Sequence, residues 1–356
     1  MTDHQIIFGD SQNMTELDDE SVHIAVTSPP YVTTKMKEGQ DFEYYNHLDL
    51  CEAVFEELHR ALIPGGKFIL NVGDIYTKYL YGDDRLRKAP LATDTFQRAR
   101  DAGFQQFAKS IWDKGFTRNF GGPLLGTYPH PPFMFFNNYY EYLYILQKPG
   151  KRPSKTREER DVSKLDKSTW KQYMQQWWRI ESETEKFDGH HAVFPLEIPK
   201  RAIELYSYKG ETVIDPFGGS CTTALAAART DRNSVCYEID DNLEPTIQAR
   251  LDLNQTTLGA VEMEADYEFI YRNDAKPGMS EMTEGEDDEA ETAKQQPNYG
   301  SSNGKVISRS ERISYDRFVA PGCPNLMDAF NDADVSFRKH CLQIRDTTPP
   351  RGRPIS

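Results

Sequence analysis

Thr212-Val213-Ile214-Asp215-Pro216-Phe217-Gly218-Gly219-Ser220 is a short apolar run that stops at an acid and breaks into a glycine-rich turn. Thr222 to Arg229, rich in alanine, follows as a helix. Strand, tight turn and helix in that order predict an α/β fold with a mostly parallel sheet. A glycine has no Cβ, so such a turn lets the backbone approach a ligand closely. The GxGxxG spacing of dinucleotide folds is missing, and so is the lysine of a phosphate loop. Asp215 at the head of the turn would repel phosphate and attract a cation.

Ser234-Val235-Cys236-Tyr237 reads as the next strand and ends at Glu238, about twenty residues past the turn, where an acid commonly binds ribose hydroxyls. Together the two acids suit a nucleoside that carries a positively charged substituent. S-adenosylmethionine, with its ribose, ammonium and sulfonium, is such a molecule. Taken alone, the turn also reads as a tight structural loop.

A second stretch has the same design. His23-Ile24-Ala25-Val26 is apolar, and Thr27-Ser28-Pro29-Pro30-Tyr31 ends it abruptly. Two prolines fix φ and remove two N–H donors, so the chain leaves the strand stiff and extended. What remains is one hydroxyl, carbonyls without adjacent N–H partners, and an aromatic ring. That set suits a flat heterocycle bearing an amino group, and equally a proline-rich turn that caps a strand.

The other elements keep the alternation of strand and helix. Gln5–Phe8, Lys67–Val72, Phe107–Trp112 and Tyr139–Gln147 read as strands. Ser11–Asp18, Asp49–Leu62, Leu91–Ala102, Pro195–Tyr208 and Asn242–Leu253 read as helices, with Pro64-Gly65-Gly66 as a stop. Residues 1–254 make one catalytic domain, 149–189 a polar insert containing Trp170, Trp177 and Trp178, 255–305 an acidic disordered linker and 306–356 a small extension.

The net charge is −14, the wrong sign for a partner of nucleic acid, but it is unevenly distributed. Glu262–Glu291 carries a dozen acids against two bases, whereas Lys78–Arg179 carries 19 bases against 10 acids. Five cysteines without CxxC spacing argue against disulfides and zinc, and with no apolar run of spanning length the expectation is a soluble cytoplasmic protein without a metal.

Ser28-Pro-Pro-Tyr31 and Asp215-Pro-Phe-Gly-Gly-Ser-Cys-Thr-Thr223 resemble the catalytic and cofactor motifs of amino-group DNA methyltransferases. The catalytic motif precedes the cofactor motif, as in the β class. The resemblance implies a circularly permuted Rossmann-like fold, with a mixed seven-stranded sheet and helices on both faces. It also implies Asp10 as the adenine-contacting acid, Glu238 as the ribose acid and the segment with Phe194 and Pro195 as a cover for the methionine moiety. Asp215, Phe217, Gly218, Gly219, Ser220, Thr222 and Thr223 would line the S-adenosyl-L-methionine site. Cys221 departs from the family, which has glycine there; a small side chain at a helix start should be tolerable. No Pro-Cys pair is present, so the cytosine-C5 mechanism is excluded.

By the same resemblance Ser28 and the Pro29 carbonyl accept the hydrogens of the target amine, Pro30 fixes the geometry and Tyr31 stacks on the base. The base must leave the duplex to reach them. Serine in the first position points to cytosine N4; adenine N6, an RNA amine, or a non-catalytic protein that binds cofactor and nucleic acid are the alternatives. Lys151, Arg152, Lys155, Arg157 and Arg160 are expected on the phosphates of double-stranded DNA, or else as a solvated basic loop. The acidic composition and compact size resemble haloarchaeal orphan cytosine-N4 methylases of CTAG. An accompanying restriction endonuclease and the oligomeric state are open at this stage.

Overall fold

The structure, a computed structural model, describes residues 2–31, 41–78, 80–81, 85–115, 130–133, 135–136, 138–181, 195–251 and 265–275. The chain begins with β1 (Thr2–Phe8) and β2 (Val22–Thr27), then α1 (Asp41–Ala61) and β3 (Leu62–Val72). A hairpin of β4 (Ile75–Thr77) and β5 (Arg87–Ala89) leads to α2 (Leu91–Asp101), β6 (Gln105–Asp113) and β7 (Tyr140–Gln147). The polar insert supplies α3 (Arg157–Asp161), α4 (Lys167–Tyr173) and β8 (Trp177–Arg179). The last part holds α5 (Glu197–Tyr206), β9 (Thr212–Asp215), α6 (Thr222–Ala228), β10 (Asn233–Glu238), α7 (Glu244–Arg250) and β11 (Ala265–Tyr271).

Nine strands form one mixed sheet in the order β11-β1-β10-β9-β2-β3-β7-β6-β8. Only β7 runs against its neighbours β3 and β6. The seven expected strands make the middle, and β11 and β8 add one at each edge. Strands from the second half of the chain, β9 and β10, sit between β1 and β2 from the first, as a circular permutation requires.

Period-two alternation sorts the core onto two faces. In β2, Val22 and Ala25 join Phe55, Leu58 and Leu91 under α1 and α2, whereas Ile24 and Val26 join Ile198 and Ile203 under α5. Phe68 and Leu70 of β3 face the first layer and Ile69 the second. Ile6 and Phe8 pack with Leu225 and Ile247 of α6 and α7.

Four sequence expectations need correction. Ser11–Asp18 runs as turns, with Leu17 N–H donating to Met14 O at 3.1 Å, and forms no helix. α1 ends at Ala61, beside the expected Leu62, but Pro64-Gly65-Gly66 is no turn; β3 passes through it with a register shift, Val22 pairing with Leu62 but Ile24 with Lys67. β11 pairs along the whole of β1, so ordered structure continues past 254 into the segment expected as linker. Helix α1 starts at Asp41, eight residues before the expected Asp49. Residues 276–305 and 306–356 lie outside the described residues. No helix among the described residues is long and apolar enough to cross a membrane.

Candidate active site

β2 and β9 meet in the middle of the sheet, paired in parallel through Ile24–Val213 and Ala25–Ile214. From β9 the chain moves through α6 to β10 on one side, and from β2 through α1 to β3 on the other. Connections that diverge in this way open a crevice above the carboxyl ends of the strands. Ser28 leaves β2 at that point and Asp215 ends β9, although 187 residues separate them in sequence.

A hydrogen bond joins the two stretches. Thr27 Oγ1 donates to Asp215 Oδ1 at 2.6 Å. Thr223 Oγ1 donates to the other oxygen at 2.6 Å, and Phe217 N–H to Oδ1 at 3.1 Å. Asp215 is 0% exposed, and among the described residues no cation pairs with it. Burial pushes its carboxyl up to about 7 against the pull of these three donors.

The Gly turn folds back onto β10. Gly218 N–H donates to Tyr237 O at 2.7 Å, and Gly219 N–H to Glu238 Oε2 at 2.8 Å. Gly219 has φ +51°, and a Cβ built there would meet nothing within 4 Å, so its free side looks onto open space. Glu238 also accepts from Asp240 N–H at 3.0 Å, and burial pushes it up to about 7. Gly9 N–H donates to Glu238 O at 2.8 Å, which places the end of β1 beside that of β10. Asp10 follows, half-buried, accepting from Gln12 N–H at 2.9 Å. Each carboxylate has lone pairs left after these bonds. Asp10, Glu238 and Asp215 thus end three adjacent strands, β1, β10 and β9, with hydroxyl and amide donors.

Cys221 sits at φ +56°, the left-handed region that explains a glycine in other sequences. Its side chain is fully buried with Ile6, Phe8 and Cys236, on the side away from the open space, so packing offsets the strain. Ser220 and Thr222 are buried and their hydroxyls lie 3.3 Å apart. Pro195 is buried at the entry to α5, where its carbonyl accepts from Ile198 N–H at 2.9 Å. Phe217 packs on the core, and Phe194 lies outside the described residues. Among the described residues no group of three His, Cys, Asp or Glu side chains is placed to hold a metal ion.

On the other half, Ser28 is half-buried, Pro29 buried and Pro30 exposed. Tyr31 is anchored by its hydroxyl. Gly73 N–H, just past β3, donates to Tyr31 Oη at 3.1 Å, and Tyr31 O–H donates to the Glu141 carboxylate of β7. Burial, then the Glu141 charge, pushes the Tyr31 hydroxyl well above its ordinary value. Lys114 Nζ donates to Glu141 in turn. The sequence reading missed this set. Its one signal was Glu141 in register with Leu143 and Ile145, an acid on an apolar face of its strand.

The basic residues expected on DNA lie in α3 and the loop before it, and two of them meet a buried acid. Arg152 donates to Tyr206 O at 2.8 Å and ion-pairs with Glu211, which lies just before β9. Lys155 approaches Glu159 at 3.4 Å and Glu211 at 3.9 Å, and Arg157 pairs with Asp161 at 3.5 Å. Lys151 and Arg160 are exposed. Glu211 also faces His23 at the start of β2, so the cluster marks the amino-terminal edge of the sheet. The extended strand from His23 to Ser28 spans about 16 Å. In the free protein Arg152 and Lys155 are held by this buried acid. Trp178 packs in the core with its indole N–H on Tyr173 O at 2.9 Å, while Trp170 and Trp177 keep half their surface.

Residues 22–249 match the family model of the N6/N4-type DNA methylases. The chain is 33% identical to the Type II methyltransferase M.MjaI of Methanocaldococcus jannaschii, over 76% of this chain and 97% of that protein. It is 31% identical to the Type II methyltransferase M.MthZI of Methanothermobacter thermautotrophicus, over 70% and 77%. Among solved structures it resembles TTHA0409 of Thermus thermophilus, a DNA modification methylase by name, in complex with S-adenosyl-L-methionine. That likeness has a TM-score of 0.60 and 28% identity, and covers 75% of this chain and 99% of the other. The PvuII cytosine-N4-specific DNA methyltransferase shares the fold, at TM-score 0.54 and 19% identity over 73% and 89%.

Proposed function

From the premise that this chain belongs to the N6/N4-type DNA methylase family, we propose that it transfers a methyl group from S-adenosyl-L-methionine to the N4 amine of cytosine in double-stranded DNA. The observation that carries the reading is the Thr27–Asp215 hydrogen bond, which ties the end of the SPPY strand to the head of the Gly turn. The order of the two motifs supports the β class within the family.

The residues fit the cofactor. Asp215 and Glu238 are carboxylates without a counter-ion among the described residues, beside the open side of Gly219, which suits a ligand bringing positive charge and hydroxyl donors. Asp10 would take the adenine amine and Glu238 the ribose, with Asp215 balancing the charge of the methionine end. Phe217, Gly218, Gly219, Ser220, Thr222 and Thr223 would form the floor, and Phe194 and Pro195 the cover. The cofactor, when bound, supplies an electrophilic methyl group.

An exocyclic amine is a weak nucleophile because its lone pair is delocalised into the ring. Ser28 Oγ and the Pro29 carbonyl accept its two hydrogens and turn the lone pair toward the methyl group. Pro30 keeps the loop extended, and Tyr31 gives the flipped base a face to stack on. The protein forms no covalent bond to the base. Lys151, Arg157 and Arg160 are the remaining basic contacts for duplex phosphate. The target sequence we propose is CTAG, and the Type II relatives support a setting beside a restriction endonuclease.

Labelled methyl transfer to duplex DNA, with Ser28→Ala and Asp215→Ala as controls, tests the activity. Mass spectrometry of the product separates the bases: 4-methylcytosine is expected, and N6-methyladenine alone would reverse the choice of cytosine. Protection of CTAG sites against cutting tests the sequence.

A further inference from the structure

Beyond the residues that meet base and cofactor, we propose that Glu141 is a positioning residue for the base pocket: from β7 it holds the hydroxyl end of Tyr31 against Gly73, with Lys114 bracing it from behind. The inference rests on the reading that Tyr31 stacks on the flipped base.

The geometry makes the contact specific. Tyr31 lies just beyond Pro29 and Pro30, past the end of β2. Its hydroxyl is held from two sides: it accepts from Gly73 N–H at 3.1 Å and donates to Glu141. Gly73 leaves the space for this. A Cβ there would stand 2.8 Å from Glu141 Cγ and 3.5 Å from Tyr31 Oη. Glu141 is buried, and it extends into the site a strand whose next inward residues, Leu143 and Ile145, are apolar core. A buried carboxylate on such a face is a cost unless it has partners, and its partners are Tyr31 and Lys114. Lys114 lies over the Trp112 ring at 4.7 Å, which fixes it in turn. The result is a chain of contacts, Trp112–Lys114–Glu141–Tyr31, from β6 to the base-facing ring. Holding the ring at both its backbone and its hydroxyl sets the plane on which a flipped base would rest. A displacement of about 1 Å at such a point costs on the order of a hundredfold in rate.

The experiment compares methyl transfer and cofactor binding in wild type, Tyr31→Phe, Glu141→Gln, Glu141→Ala and Tyr31→Phe/Glu141→Ala. Glu141→Ala and Tyr31→Phe are expected to lower kcat about 10- to 100-fold while the Kd for S-adenosylmethionine stays unchanged. The double variant should be no slower than the slower single one, because both changes remove the same contact. Glu141→Gln keeps an acceptor for the tyrosine and should recover most of the rate. 2-Aminopurine at the target position should report altered stacking in the two slow variants. A merely structural glutamate would instead lower Tm and cofactor affinity together, with losses that multiply across the pair. Either that pattern or a wild-type kcat in Glu141→Ala overturns the proposal. If Glu141→Ala does not fold, Gly73→Ala and Tyr31→Phe carry the test: both slow supports it, and either at wild-type rate overturns it. Wild-type protein that methylates no DNA overturns the proposed function itself, a result distinct from an active enzyme indifferent to these changes.

Discussion

The two ends of the central strands treat a buried acid in opposite ways. At the amino-terminal end Glu211, 3% exposed, is matched by Arg152 and Lys155, and accepts from Tyr208 N–H at 2.7 Å. At the carboxyl-terminal end Asp215, four residues later and 0% exposed, has two threonine hydroxyls and one amide but no cation among the described residues. One acid meets cations within the free protein, and the other is left for a ligand to meet. The same strand, β9, therefore joins a group that serves stability to a group poised for binding.

The largest expected effect tests the complete end. Arg152→Ala leaves Glu211 buried with weaker partners, so stability should fall by about 2–3 kcal/mol by urea titration. Methyl transfer below the transition should stay near wild type. A rate that fell with unchanged stability would place Arg152 in the functional half after all. Next in size is Asp215→Asn, which keeps the shape and removes the charge. Cofactor affinity should drop by about 2 kcal/mol, roughly 30-fold by calorimetry, with Tm at pH 8 close to wild type. Equal losses of stability at both ends would erase the contrast.

A pH series sharpens it. Asp215 and Glu238 are both raised to about 7 from ordinary carboxyl values, so the free folded protein holds protons that the unfolded chain has lost. Their contribution to stability is full below pH 4 and is lost as pH rises through 7. A cationic ligand favours the ionised forms. Cofactor affinity should therefore rise through pH 7, by at most about tenfold per pH unit for each group, with protons released on binding. Calorimetry at pH 6.5 in buffers of different ionisation enthalpy counts those protons. No release would mean that neither acid meets the cofactor.

How much of this was legible depended on whether the signal was local. Ser28-Pro-Pro-Tyr31 and the Asp215 turn could be read because proline and glycine act on their own backbone, and the apolar runs before them are short and unbroken. Strand–helix alternation carried the α/β class with a mostly parallel sheet, while the permuted mixed sheet with helices on both faces came only from the family resemblance. Turn residues misled where pairing overrode them: Pro64-Gly65-Gly66 lies inside β3 because Gly65 N–H donates to Lys148 O at 3.1 Å and Gly66 O accepts from Lys148 N–H at 3.0 Å, just past β7. β11 was hidden in an acidic stretch; the alternating Tyr267, Phe269 and Tyr271, stacked on His4 and Phe8, mark it as a strand. The pairing of Arg152 with Glu211 was hidden because the two lie 59 residues apart in sequence. Tyr31–Gly73–Glu141 joins three distant segments, and no periodicity carries that information.

The smallest effect comes from a matched pair of glycines, one at each end of β9. Gly210 has φ +77° and Gly219 φ +51°, and a Cβ at either meets nothing within 4 Å. Alanine at each position should cost about 1 kcal/mol through left-handed strain alone. The two variants should therefore unfold at nearly the same urea concentration. They should differ in binding, because the open space beside Gly219 borders Glu238 and Asp215, whereas Gly210 lies before the start of β9 and accepts from Asn233 Nδ2 at 3.2 Å. A methyl group at Gly219 would occupy part of the volume assigned to the cofactor and weaken its binding severalfold; Gly210→Ala should bind as wild type. Equal affinities would show that the ligand passes Gly219 at a distance, and would move the cofactor away from the turn toward Asp10 at the end of β1.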